Sequence, residues 1–148
     1  MKEIYYTYNN EAIASCILIL VLQKIKAIDT ARLFLILPFL FDDRIVKQLQ
    51  VNNISDLEHF ISDKPRLFSA FNKRFLNLMP VTINSLMLLK KSNQVNIERE
   101  ITCNTELKLE NNDFGERFNK ITEVLPKFLS MLEEHSTTNL YHILKIQL

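Results

Sequence analysis

The stretch LFLILPFLFDD, residues 33–43, decides the fold. It holds nine apolar residues with Pro38 among them, and two aspartates end it. Nine residues are too few for a membrane-spanning helix, which needs about 20, so we interpret the stretch as buried helix. Because proline lacks a backbone N–H and disfavours helical geometry at the residue before it, we predict a break at Pro38. The segment should lie in the interior, with Asp42 and Asp43 at its exit to solvent.

Helical patterns continue on both sides of this segment. Ala12–Leu22 is apolar apart from Ser15, which is typical of a helix covered on all sides. Near the C-terminus, apolar residues three or four positions apart indicate an amphipathic helix that Pro126 should interrupt: Phe118, Ile121, Leu125, Phe128 and Leu132. The predicted helices span about 10–27, 30–37, 42–50, 55–62, 65–79, 80–91, 114–134 and 137–145.

Capping residues and prolines set these predicted boundaries. Asn9 or Asn10 can cap the first helix, since a short polar side chain accepts a hydrogen bond from a free backbone N–H. Ser55 with Glu58 matches a capping box. Pro80 should end one helix and begin the next, because it cannot donate to the carbonyl four residues earlier. These signals divide the middle of the chain into several short helices.

One region has the alternation of β-strands. In VNIEREITC, which begins at Val95, apolar residues occupy alternate positions except around Arg99. The following TELKLE alternates in the same way, with Asn104 and Thr105 at the junction. The sequence therefore predicts one β-hairpin at about 95–110, and this is its only strand signal.

The predicted fold class is mainly α, as a compact helical domain over residues 1–148 with one β-hairpin. A chain of 148 residues is long enough to bury a hydrophobic core. Two helices followed by a two-stranded wing, over about 65–110, is also the order of a winged-helix unit. A winged-helix-like unit is therefore one interpretation of this region.

The composition excludes several kinds of site. Gly115 is the one glycine, so a Gly-rich phosphate loop, a dinucleotide-binding motif and a nucleophile elbow are all excluded. Cys16 and Cys103 lack histidines at zinc-ligand spacing. The acidic pair Glu133–Glu134 points in two directions on a helix, since neighbouring residues are about 100° apart. We therefore expect no catalytic residues, no metal, no cofactor and no enzymatic activity.

Charge and hydropathy predict a protein of the cytoplasm. The formal net charge is +1, so the molecule as a whole has no electrostatic attraction to nucleic acid or to an anionic membrane. The first residues, MKEIYYTYNNEA, lack the basic and apolar regions of a signal peptide. We expect a cytoplasmic protein without membrane contact.

Basic residues cluster at the predicted helix pair. Lys73 and Arg74 follow Arg66 by seven and eight positions, so on one helix the three side chains would share a face. Such a face can pair with acidic groups on a partner protein or contact DNA phosphates; the alternative is a solvated surface. Because Pro80–Leu89 is almost uncharged and the predicted wing is acidic, direct DNA docking is the less favoured interpretation.

Four segments together resemble the middle components of bacterial three-component ABC systems, and among these the small subunits of Lamassu-type defence systems. In order, they resemble four features of that family: a polar segment that leads into an apolar first helix, a Leu-Pro-apolar run, an Arg-containing helix followed by a strand, and a closing helix. The segments are YYTYNNEAIASCILIL (5–20), LFLILPFLFDDRIVKQL (33–49), NKRFLNLMPVTINSLMLLKKSNQVNI (72–97) and LPKFLSMLEEHSTTNLYHILKIQL (125–148). Family members often end in a Gly-Val-Arg-Pro-like tail, which LKIQL does not match.

The resemblance implies a non-enzymatic adaptor in an anti-phage or anti-plasmid defence complex. An SMC-like or ABC-type ATPase would sense DNA structure, and a nuclease-like effector subunit would cut or disable its target. This chain would link the two and meet DNA only through the complex. The alternatives are a stand-alone winged-helix DNA-binding regulator and a small enzyme, and the absence of a catalytic motif counts against the enzyme. The candidate contact residues are Arg66, Lys73 and Arg74.

Overall fold

The computed structural model describes residues 2–104 and 115–148, with side chains from Glu11 onward. These residues are mostly helical, with a small antiparallel sheet, so the predicted mainly α fold is confirmed. The elements in chain order are α1 (Lys2–Ile25), β1 (Ala27–Asp29), α2 (Thr30–Leu33), α3 (Ile36–Leu40), α4 (Asp43–Val51), α5 (Leu57–Asp63), α6 (Pro65–Phe68), α7 (Phe71–Lys91), β2 (Val95–Ile97), β3 (Glu100–Cys103), α8 (Glu116–Glu133) and α9 (Thr137–Ile143).

Helix α1 packs against α7, α8, β1 and β3. Its residues Ile17, Leu18 and Leu22 are fully or almost fully buried, as an all-apolar stretch predicts. The helix begins at Lys2, so the predicted cap at Asn9 or Asn10 was wrong. Asparagine inside a helix costs less than about 0.7 kcal/mol, which is too little to end one that tertiary packing supports. Lys26 ends the helix with a left-handed φ of 62°.

The segment that decides the fold forms α2, α3 and the approach to α4. Leu33 and all residues from Leu35 to Leu40 are buried, which confirms the predicted interior position. The helix break, however, falls at Phe34–Leu35 and not at Pro38. Pro38 is the third residue of α3, where a helix has no internal partner for the backbone N–H, so the proline fits without disruption. Asp42 then caps α4 by accepting a hydrogen bond from the Arg44 N–H.

Two other predicted breaks are absent. Helix α7 continues through Pro80 and α8 continues through Pro126, so the predicted restart at Pro80 and the interruption at Pro126 were wrong. Both prolines face solvent, where water can satisfy the carbonyl that each leaves without an amide partner. The predicted helix at about 65–79 divides instead at Ser69–Ala70, between α6 and α7.

The turn between α6 and α7 has a packing role. It allows Phe68 and Phe71 to contact the same ring, that of Phe39, with centroid distances of 6.1 and 4.8 Å. Phe128 of α8 reaches Phe39 at 5.0 Å. Tilted and edge-on aromatic pairs at these distances are favourable beyond their buried area. The phenylalanines thus join α3, α6, α7 and α8 around one residue of the central segment.

The described strands form one antiparallel sheet in the order β1-β3-β2. Hairpin β2–β3 lies in the region predicted to form a hairpin, but both of its strands fall within VNIEREITC. Its turn is at Glu98–Arg99, where the alternation failed, and not at Asn104–Thr105. The predicted second strand in TELKLE lies outside the described residues. Strand β1, which sequence reasoning missed, pairs Ile28 with Ile101 of β3.

The remaining helix boundaries agree closely with the sequence. Ser136 caps α9 by accepting from the Asn139 N–H, and the helix begins at Thr137, in agreement with the predicted start at about 137. Helix α5 is capped by Asp56 and not by Ser55, so the capping box was displaced by one residue. Hairpin β2–β3 follows α7, which is compatible with a winged-helix-like unit, although the short α6 and the long α7 replace the expected helices at 65–79 and 80–91. No helix in the described residues has the length and apolar character needed to cross a membrane.

Candidate partner-contact site

The three predicted contact residues do not share one face. Arg66 is exposed on α6, Lys73 is exposed in the first turn of α7, and the Arg74 side chain is only 20% exposed. The turn at Ser69–Ala70 separates α6 from α7, so the one-helix geometry assumed from the spacing was wrong. Arg66 and Lys73 remain available to a partner, whereas Arg74 points toward the interior.

Arg74 is held by the aspartate that ends the central segment. Its guanidinium lies 3.1 Å from Asp42 Oδ2, and the Asp42 side chain is only 5% exposed. Arg44 contacts the same carboxylate oxygen at 3.0 Å. Arg74 also donates to the carbonyl oxygens of Pro38 and Leu67, each at 3.4 Å. These contacts fasten α7 to α3 and α6, so Arg74 has a structural role.

The electrostatics of this cluster keep Asp42 ionised. Burial raises the pKa of Asp42, but the hydrogen bond from Arg44 and the positive charge of Arg74 together outweigh burial, so the pKa lies below its usual value. Burial lowers the pKa of Arg74, while Asp42 raises it and Arg44 lowers it. An arginine pKa begins so far above neutrality that Arg74 stays charged. Asp42 and Arg74 are therefore both charged at neutral pH and form an ion pair, with Arg44 beside them.

Helix α7 has an apolar line on its solvent side. Leu76, Ile83 and Met87 are 44%, 42% and 44% exposed, and Pro80 between them is also exposed. At about 100° per residue, these four side chains lie within about 60° of one another. We call Leu76, Pro80, Ile83 and Met87 the α7 outer face. The buried residues of α7 lie on the other side of the helix: Phe71, Phe75, Thr82, Ser85, Leu86 and Leu89.

The sequence interpretation missed this outer face. It noted only that Pro80–Leu89 is almost uncharged, but the helix carries apolar residues on two sides and only one side is covered. The signal was present, because steps of four, three and four from Leu76 to Met87 form a second apolar line beside the buried one. Which line becomes buried depends on α1, which packs more extensively against α7 than any other described element does.

One group of side chains has metal-binding potential. Ligand-capable atoms of Asp56, Glu134 and His135 lie within 4.8 Å of one another. His135 Nε2 is 3.7 Å from Asp56 Oδ1, and its other ring nitrogen lies 2.9 Å from Asn139 Nδ2. Asp56 also accepts hydrogen bonds from the first backbone N–H groups of α5. The described contacts thus give Asp56 and His135 a structural role, in joining α5 to the α8–α9 corner.

The comparison with known families decides the identity. A family model described as ABC-three component (ABC-3C) system Middle Component 3 matches residues 2–148. The chain belongs to this family. Neither the curated proteins nor the solved structures contain a match to this Middle Component 3 protein.

Membership explains what kind of site to expect. A middle component is one part of a multi-component ABC system, so the Middle Component 3 protein has partner proteins. The resemblance seen in four sequence segments is confirmed at this level. The exposed features of α6 and α7 are therefore candidates for partner contact. They are the basic residues Arg66 and Lys73, and the α7 outer face.

Proposed function

We propose that this Middle Component 3 protein is the non-enzymatic adaptor of a bacterial anti-phage or anti-plasmid defence complex of the Lamassu type. It links an SMC-like or ABC-type ATPase subunit to a nuclease-like effector subunit in the cytoplasm. DNA reaches it only through the complex. The supporting observation is the family match over residues 2–148, because a middle component works together with other components.

The surface chemistry supports a protein partner more than DNA. The net charge is +1, so long-range attraction to phosphate is weak. Arg74, one of the three candidate DNA or partner contacts, is already paired with Asp42. The solvent side of α7 presents apolar side chains where a DNA-reading helix needs polar and basic ones. These features favour recognition of another subunit.

Co-expression tests the adaptor role. The chain is produced together with the ATPase and effector subunits of its system, and the complex is purified through a tag on the ATPase. We expect the effector to be retained only when the Middle Component 3 protein is present. Retention of the effector in its absence would contradict the adaptor role. Tight, sequence-specific DNA binding by the isolated chain would instead support the winged-helix regulator.

The double substitution Arg66→Glu with Lys73→Glu is expected to weaken assembly of this complex by about tenfold, because exposed interface charges control the rate of association. Both side chains are exposed, so the melting temperature of the isolated protein should change little. Lys47→Glu with Lys120→Glu alters the net charge equally on α4 and α8 and serves as the control. Equal assembly by both double variants would rule out a role for Arg66 and Lys73.

The purified chain is expected to hydrolyse neither ATP nor DNA. With one glycine it cannot form the glycine-rich loops that cradle phosphates. The measurement is phosphate release and plasmid cleavage by the isolated protein, with the assembled complex as the positive control. Turnover that persists through repurification and disappears on one point substitution would show that the protein is an enzyme.

A further inference from the structure

The α7 outer face has the pattern by which helices pair. Its four residues follow alternating steps of four, three and four, so Leu76 and Ile83, and likewise Pro80 and Met87, are seven residues apart, as in the heptad repeat of helices that pack along their length. They cover about 17 Å of the helix, at about 1.5 Å per residue. Four of the large hydrophobic residues with the greatest exposure in the described chain lie on this one helix: Leu76, Ile83, Met87 and Leu88.

Pro80 adds a polar feature to the middle of this line. A proline has no N–H, so the Leu76 carbonyl lacks the amide that would otherwise bond to it four residues later. Leu76 and Pro80 are both exposed, so the carbonyl that lacks this amide belongs to the solvent side of the helix. An apolar line with one available acceptor is more specific than an apolar line alone, since it fixes the position of a bound element.

The charges on α7 indicate what can cover the line. The helix contains no acidic residue, and its exposed lysines stand at the two ends: Lys73 before the line, and Lys90 and Lys91 after it. Viewed down the helix axis, each lysine lies within about 50° of the middle of the α7 outer face. A second copy of the helix would place lysine opposite lysine in either a parallel or an antiparallel pair. Like charges in contact are unfavourable, so self-pairing is disfavoured.

We propose that the α7 outer face docks an amphipathic helix of a partner subunit, one with an apolar line and acidic residues on its margins. The partner's apolar residues bury Leu76, Ile83 and Met87, and its acids meet Lys73, Lys90 and Lys91. This proposal rests on the proposed function, since it names the surface through which the adaptor holds the ATPase or the effector. It adds the chemistry of the partner.

The first test removes the apolar line. Leu76→Gln, Ile83→Gln and Met87→Gln are introduced together, and binding to the co-expressed ATPase and effector is measured by affinity purification and by titration of the purified subunits. We expect binding to one of the two subunits to weaken about 100-fold or more, as for the loss of a central apolar cluster of an interface. Val51→Gln is the matched control, because Val51 is 66% exposed on α4 and lies away from α7.

The second test reverses the charges at the ends of the line. Lys73→Glu, Lys90→Glu and Lys91→Glu are compared with a triple variant of equal charge, Lys24→Glu, Lys47→Glu and Lys120→Glu, which leaves α7 unchanged. We expect the α7 variant to lower the association rate with the same subunit at least about tenfold at low salt. The difference should shrink as salt rises, because screening weakens contacts between exposed charges.

The outcomes separate the two proposals. If the wild-type chain binds neither subunit, the proposed function fails and the docking helix fails with it. If the wild type binds and the glutamine variant binds equally well, the adaptor role stands and the α7 docking site is wrong. A wild-type dimer that the glutamine variant dissociates would assign the face to a second copy. Loss of duplex DNA binding in the variant would assign it to DNA. Circular dichroism shows that each variant remains helical, and Leu76→Gln alone replaces the triple if it does not.

Discussion

Replacing Leu37 with aspartate is expected to abolish folding of the chain. Leu37 lies in α3 with no exposed surface, and its neighbours Ile36 and Phe39 are equally buried. A carboxylate at this position loses its hydration without gaining a partner, so we expect destabilisation of more than about 4 kcal/mol. That is a large part of the total stability of a domain, which is about 5–15 kcal/mol. The measurement is chemical unfolding followed by circular dichroism, or the soluble yield if none folds.

Two variants provide the comparison for Leu37. Leu37→Met conserves volume and polarity, so it should cost less than about 1.5 kcal/mol. Leu148→Asp places the same charge on a residue that is 92% exposed, and it should leave the melting temperature unchanged. If Leu37→Asp stays soluble with an unchanged melting temperature, the central segment is not the interior of this protein.

Reversing the charge of Arg74 is expected to be the second most damaging change. Arg74→Glu places a carboxylate beside Asp42, whose side chain is 5% exposed, and removes the guanidinium that balances it. Breaking a buried ion pair from one side costs about 3–5 kcal/mol, and Asp42 would keep only Arg44, whose side chain is 61% exposed, as a partner. The substitution also removes the hydrogen bonds to Pro38 and Leu67. Arg74→Glu should unfold at a much lower denaturant concentration than the wild type, whereas Lys73→Glu, at the preceding position, should unfold at the same concentration as the wild type.

The pH dependence of stability tests the same pair. The pKa of Asp42 is lowered in the folded protein, so its contribution is complete above the ordinary aspartate value of about 4 and is lost as pH falls through the folded value. The wild type should therefore lose stability on acidification in this range. Arg74→Met keeps the apolar stem and removes the charge, so its stability should vary less with pH. The same acid response in both would show that Arg74 does not stabilise the Asp42 carboxylate.

The sequence was most informative where local rules and burial agree. The run at 33–43 is too short to cross a membrane, so a helical fold buries it in the interior. The predicted start of the last helix at about 137 needs only a short capping side chain, which Ser136 provides. The errors at Pro80 and Pro126 have one cause. A proline destabilises a helix, but less so when packing holds the helical turns before and after it and water reaches the carbonyl that lacks an amide partner.

The features that escaped prediction depend on contacts between distant residues. Strand β1 is three residues long and gains its hydrogen bonds from β3, so the local sequence contains almost no sign of it. Arg74 looked like a surface cation because Asp42 is far from it in the chain. The α7 outer face was readable as an apolar line, but only the packing of α1 decides which side of α7 is left uncovered.

The pairing of β1 with β3 sets an order of events during synthesis. β1 ends at Asp29, but its partner is complete only when Cys103 has been made. At about 5–20 residues per second, the first strand waits several seconds with its edge unpaired. For most of that interval the apolar side chains of α1 also lack most of α7. A newly made chain therefore spends its first seconds as a species that other proteins can capture, and translation beside its partner subunits would shorten that exposure.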